Sequence, residues 1–120
     1  MKIVLTANGH DLNASLDSRF GRAANFIVYD TDDGSFSVLD NQQNLNAAQG
    51  AGIQAAQAVV ASGAEILLTG HCGPKAFRVL QAAGVRTYTT GAATVTAALE
   101  EFKAGKLAEI QSADVEGHWV

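Results

Sequence analysis

The chain has one cysteine, one proline and no long uninterrupted apolar run. A single cysteine cannot close an internal disulfide, which fits a reducing compartment. A membrane helix needs about 18 or more successive apolar residues, so no span is expected. Positive charge is scarce as well: eight Lys and Arg stand against twelve Asp and Glu, for a net charge of −4. That balance argues against a general nucleic-acid binder. One cysteine and scattered histidines also lack the ligand pairs of a structural zinc site. The opening residues, Met1-Lys2-Ile3-Val4-Leu5, run straight into a strand pattern without the long apolar region and cleavage site of a signal peptide. The expected compartment is therefore the cytoplasm.

What remains is the composition of one globular domain, with 120 residues of which 48% are hydrophobic. A chain of that size buries roughly two-thirds of its unfolded surface. The apolar pattern predicts strands over residues 2–7, 25–30, 35–39, 65–68 and 85–88. Residues 31–34, Thr31-Asp32-Asp33-Gly34, mark a hairpin turn between the second and third strands. Helices are predicted over 50–62, 74–83 and 94–104, each followed by a glycine. The order β-β-β-α-β-α-β-α implies a three-layer α/β fold with a mixed five-stranded sheet. Residues 108–120, which include His118 and Trp119, lack a periodic apolar face and read as a loose C-terminal tail after a domain spanning 1–107.

The strongest local signal is Thr69-Gly70-His71-Cys72-Gly73-Pro74-Lys75. A buried strand ends at Thr69, and Pro74 suits the first position of the helix that follows. Such a junction leaves backbone N–H groups free at the positive end of a helix dipole, where anions bind. In open α/β sheets ligands sit beyond the carboxyl ends of the parallel strands. The loops expected there, residues 8–22, 41–52, 69–75 and 89–94, carry His10, Arg19, Arg22, Gln49, Gly50, Gly52, His71, Cys72, Gly73, Lys75, Thr90 and Gly91. Loops 8–14 and 41–49 are polar and expected to be held by few buried contacts. Cys72, just ahead of a helix, is open to two readings: a thiol of lowered pKa beside a ligand, or an inert buried one. Thiolate and imidazole are both metal ligands, so this pattern also leaves direct ligation of a metal by Cys72 or His71 open.

Nucleotide motifs fit poorly. Lys75 is followed by Ala76, not the Ser or Thr of a phosphate-binding P-loop. Gly50-Ala51-Gly52-Ile53-Gln54-Ala55 matches the short form of the dinucleotide fingerprint but follows a long polar loop, so its glycines read as allowing close backbone approach. Two-metal nuclease chemistry needs carboxylates on central strands, and residues 2–7 have none. A Cys72 nucleophile lacks a visible orienting group. The chain is therefore read as a binding protein, not an enzyme.

Ser15-Leu16-Asp17-Ser18-Arg19-Phe20-Gly21-Arg22-Ala23-Ala24-Asn25-Phe26, followed by Ile27-Val28-Tyr29-Asp30, resembles the opening of the dinitrogenase iron–molybdenum cofactor biosynthesis family. Asn44, Gly50-x-Gly52, Gly63-Ala64, Thr69-Gly70, Gly73-Pro74-Lys75-Ala76, Gly84-Val85 and Thr94-Val95 continue the pattern over residues 1–107. The resemblance implies a ribonuclease-H-like fold carrying a molybdenum cluster. For stand-alone members with the Gly-His-Cys-Gly-Pro-Lys loop it implies a molybdenum–copper sulfide anion held without covalent protein ligands, with Cys72 beside it but unbonded. The alternatives are a carrier of an iron–molybdenum cofactor precursor for nitrogenase-type assembly, or a protein-interaction module without metal. Deviant Walker ATPases and cell-division proteins are the partners the resemblance implies, with no nucleic acid and no membrane.

Overall fold

The computed structural model describes residues 1–41 and 50–110. The elements run β1 (Lys2–Ala7), β2 (Asn25–Asp30), β3 (Phe36–Asp40), α1 (Ala51–Ala61), β4 (Ile66–Thr69), α2 (Pro74–Ala82), β5 (Arg86–Thr89), α3 (Val95–Lys103) and β6 (Ala108–Ile110). One mixed sheet has the order β3-β2-β1-β4-β5-β6. Strands β1, β4 and β5 are parallel, while β2 runs antiparallel to both β1 and β3. The expected ribonuclease-H-like α/β architecture is therefore present, with six strands in place of five.

The additional strand corrects the reading of residues 108–110 as loose tail. Ala108–Ile110 pairs antiparallel with β5, Ile110 is buried, and Glu109 forms an ion pair with Arg86 at 2.9 Å. The rest of that expected tail, with His118 and Trp119, lies outside the described residues.

Alternation along the central strands creates two cores, since successive side chains point to opposite faces. Val4, Phe26, Val28 and Leu67 meet α1 and α2 through Ala55, Ala56, Val59, Ala76, Phe77 and Leu80. Ile3, Leu5, Ile27, Ile66 and Leu68 meet α3 through Val95, Ala98 and Leu99. The result is a sheet between two helical layers. Truncating a fully buried leucine such as Leu67 or Leu80 would cost about 2–5 kcal/mol.

Residues 8–22 are held more firmly than their polarity suggests. Asn8 N–H donates to the Ser15 carbonyl, Leu16 N–H to Ala93, and Asp17 N–H to Thr6, each at 3.0 Å. Short bridges join Ala7 to Leu16, Ser15 to Thr94, and Arg19 to His71. Within loop 8–14 itself no residue is buried, in line with the expectation of few buried contacts, and backbone hydrogen bonds tie it down instead. The companion stretch 42–49 lies outside the described residues.

Candidate functional site

Two helices begin at the same sheet edge with glycine at the cap. Gly50 precedes α1 in the left-handed conformation, with φ at 81°, and Gly73 precedes α2 in extended backbone. Neither cap supplies a side-chain hydrogen bond, and neither first turn contains an acidic residue. The first intrahelical bonds are Gln54 N–H to Gly50 C=O and Phe77 N–H to Gly73 C=O, both at 3.0 Å. The N–H groups of Ala51, Gly52, Ile53, Lys75 and Ala76 consequently have no intrahelical acceptor. Each helix start also carries about half a positive charge from its aligned peptide dipoles.

A cleft of about 520 Å³ lies at these two helix starts, lined by Phe20, Gly21, Gly50, Gly52, Ile53, Gly73, Pro74, Lys75 and Ala76. Among the described residues of this lining Lys75 is the charged one, and none is a carboxylate. Phe20, Ile53, Pro74 and Ala76 supply apolar wall. The backbones approach closely here: a Cβ on Gly21 would lie 3.0 Å from both Gly52 Cα and Gly52 N. The pair Gly21 and Gly52 thus lets the backbone at Gly21 press against the first turn of α1, whereas a Cβ on Gly50 would meet nothing within 4 Å.

The third helix start is closed. Val95 N–H donates to the Ala14 carbonyl at 3.0 Å and Thr96 N–H to Leu12 at 2.9 Å. Ala97 N–H donates to Thr94 Oγ1 at 3.1 Å. Two of the three helix starts are therefore open, because the 8–14 loop occupies α3.

This divides the predicted residues. Gly50, Gly52, Gly73 and Lys75 line the cleft. Arg19 and Arg22 flank its Phe20 and Gly21 without lining it, and Arg19 is held by Asp17 at 3.3 Å. His71 lies behind Phe20, whose N–H donates to the His71 carbonyl at 3.1 Å. Thr90 and Gly91 are not in the cleft lining: Thr90 Oγ1 donates to Glu101 at 2.7 Å and accepts from Ala92 N–H at 3.0 Å. His10 is exposed on the loop that covers α3. Gln49 lies outside the described residues. Phe20, Gly21, Ile53, Pro74 and Ala76 were not among the expected site residues. Phe20 reads as a core anchor, and it is one, stacked on Phe26 at a centroid distance of 5.6 Å. It borders the cleft from that position.

Cys72 departs most from its local sequence signal. It is 2% exposed and packs within the core that includes Phe20, Ala76 and Phe77. Burial pushes its thiol from 9.0 up to about 12, the reverse of the lowered pKa expected of a cysteine ahead of a helix. Among the described residues no group of three or more His, Cys, Asp or Glu side chains comes together. The cleft therefore offers hydrogen-bond donors, one cation and apolar contact, which suit an anion whose own coordination is already complete.

The family model described as dinitrogenase iron-molybdenum cofactor matches residues 1–105. The chain belongs to that family. Its fold is similar to the apo form of the orange protein from Desulfovibrio gigas, at 42% identity and a TM-score of 0.88 over 92% of this chain and 93% of that one. It is also similar to a putative NifB protein from Thermotoga, at 35% identity and a TM-score of 0.82 over 92% and 94% of the two chains. An uncharacterised protein of Methanocaldococcus jannaschii is 25% identical over 113 residues, 92% of each chain. Among the described residues no helix is long and apolar enough to cross a membrane.

Proposed function

We propose that this member of the dinitrogenase iron–molybdenum cofactor family carries an anionic metal–sulfur cluster as cargo in the cleft between α1 and α2, and that the cargo is a molybdenum–copper sulfide. The observation that carries this reading is the pairing of two helix starts without side-chain caps, at Gly50 and Gly73, on one cleft lined by Lys75. A cluster that brings its own sulfide needs N–H donors and charge more than it needs protein ligands. Cys72 is buried in the core and is not part of the cleft lining, which supports a bound state without a thiolate bond. Family membership and the likeness to the orange protein support a carrier role.

The apolar part of the wall favours a bulky, polarizable anion over a small, strongly hydrated one. The family description names the iron–molybdenum cofactor, so a precursor of that cofactor is the second reading. Metal analysis of protein from its native source separates the two.

Reconstitution tests the site. Protein mixed with tetrathiomolybdate and copper(I), then desalted, should retain a chromophore absorbing in the visible. Lys75 is exposed, so Lys75→Gln should weaken retention by about 1 kcal/mol, roughly fivefold. A Cβ on Gly73 meets nothing within 4 Å, so Gly73→Ala should leave the fold intact while its methyl intrudes on the cargo. Undiminished retention in the Lys75→Gln/Gly73→Ala double variant would contradict the assignment.

A further inference from the structure

Three residues ahead of Phe20, in the segment that supplies part of the cleft wall, the chain carries a buried carboxylate. Asp17 is 3% exposed. Its carboxylate accepts from the Arg19 backbone N–H at 2.9 Å, from Arg19 Nε at 3.3 Å and from Arg19 Nη2 at 3.4 Å. Its backbone is anchored as well. The Asp17 N–H donates to the Thr6 carbonyl at 3.0 Å, and its own carbonyl accepts from Thr6 Oγ1 at 2.6 Å. Thr6 Oγ1 in turn shares a hydrogen bond of 3.0 Å with Thr69 Oγ1. From that anchor the chain runs directly into Phe20 and Gly21, both part of the cleft lining.

The Arg19 side chain remains 66% exposed. The cation that directly precedes the lining residue Phe20 is thus offset by a carboxylate that the fold buries, at a desolvation cost that an apolar residue would not incur. A carrier has to release what it captures, and an offset cation holds an anion less tightly than a free one.

We propose that Asp17 limits how tightly the cleft holds its cargo: by pairing with Arg19 it cancels one positive charge beside the site and keeps the bound anion releasable. Lys75, on the cleft wall, supplies the charge for capture. This inference rests on the cleft being the anion site. Asp17 does not touch the cargo; it acts through Arg19.

The test is a visible-absorption titration with tetrathiomolybdate and copper(I) at several salt concentrations. Asp17→Asn keeps the shape and an acceptor oxygen but removes the charge. Its dissociation constant should fall by about threefold, as expected for one added charge acting through a high effective dielectric, with a steeper salt dependence. Arg19→Gln leaves the Asp17 charge unopposed and should weaken binding by a similar factor. The Asp17→Asn/Arg19→Gln double variant should return to within about twofold of the wild type. Hydrogen exchange of the Phe20 amide, without cargo, reports whether the segment stays in place. A merely structural role would loosen that amide and weaken binding in both single variants alike. Wild-type protein that takes up no probe would overturn the anion site itself. Normal wild-type uptake, with Asp17→Asn binding no tighter and Phe20 still protected, would overturn only the role given to Asp17. Should Asp17→Asn fail to fold, unweakened binding by Arg19→Gln overturns that role by itself.

Discussion

Alkylation of the single thiol separates a ligand cysteine from a core cysteine without any cluster present. An ordinary thiol with a pKa of 9.0 is about 1% thiolate at neutral pH, and the thiolate is the reactive form. Burial raises Cys72 to about 12, which lowers that fraction to about 10⁻⁵, a loss of about a thousandfold. Its 2% exposure adds a steric barrier to reagent entry. The native protein should therefore react with iodoacetamide at least about a thousandfold more slowly than the urea-unfolded chain, with modification passing through transient opening. Mass spectrometry of timed samples gives both rates. A native rate within about tenfold of the unfolded rate would refute the burial argument and restore Cys72 as an accessible, ionisable ligand. The same reasoning predicts that Cys72→Ala assembles a cluster of nearly unchanged visible spectrum. Alanine is a cleaner replacement than serine, whose hydroxyl in this apolar setting would cost about 1–3 kcal/mol.

Alkali tests the thiol from another side. The folded pKa is raised, so stability should hold below pH 9.0 and decline as the unfolded thiol ionises, up to about pH 12. The slope is about 1.4 kcal/mol per pH unit over that window. Urea midpoints should show this component in the wild type and not in Cys72→Ala; equal slopes would contradict it. At Gly70 an added Cβ would lie 2.8 Å from Ser18 Cα and 2.9 Å from Ser18 O, so Gly70→Ala should destabilise by about 1–3 kcal/mol. An unchanged urea midpoint would argue against that close approach. Thr94→Ala removes the α3 cap that accepts from Ala97 N–H and should cost about 1 kcal/mol in the same assay. Under the proposed function cluster retention should be unaffected, because that helix start is closed by the protein's own carbonyls.

The sheet was legible where burial writes itself into the chain. Ile3-Val4-Leu5 and Ile66-Leu67-Leu68 are apolar runs because both faces of those strands are covered. Strand β6 was not legible: Ala108-Glu109-Ile110 is too short to show a period, and its pairing depends on Thr87, Tyr88 and Thr89. The site was half readable. Gly50, Gly52, Gly73 and Lys75 announce open helix starts through local chemistry, and they line the cleft. Closure of α3 by the carbonyls of Leu12 and Ala14 is a contact between residues more than 80 positions apart, invisible to local patterns. Cys72 stayed open between two readings for a related reason, and the structure takes the buried one. Its place ahead of a helix suggests a positive field, while its burial in the core shared with Phe20 and Phe77 follows from the packing of α2 on the sheet. Gly21 carried a signal only in retrospect, through its contact with Gly52.

Amide chemical shifts recorded during cluster reconstitution test the central claim most directly. Copper(I) and tetrathiomolybdate added to isotope-labelled protein should shift the amides of Ala51, Gly52, Ile53, Lys75 and Ala76, together with Phe20 and Gly21. The amides of Val95, Thr96 and Ala97, already bonded within the protein, should stay in place. Shifts centred on Val95–Ala97, His10 and Thr90, with the α1 and α2 starts unmoved, would contradict the cleft as the anion site.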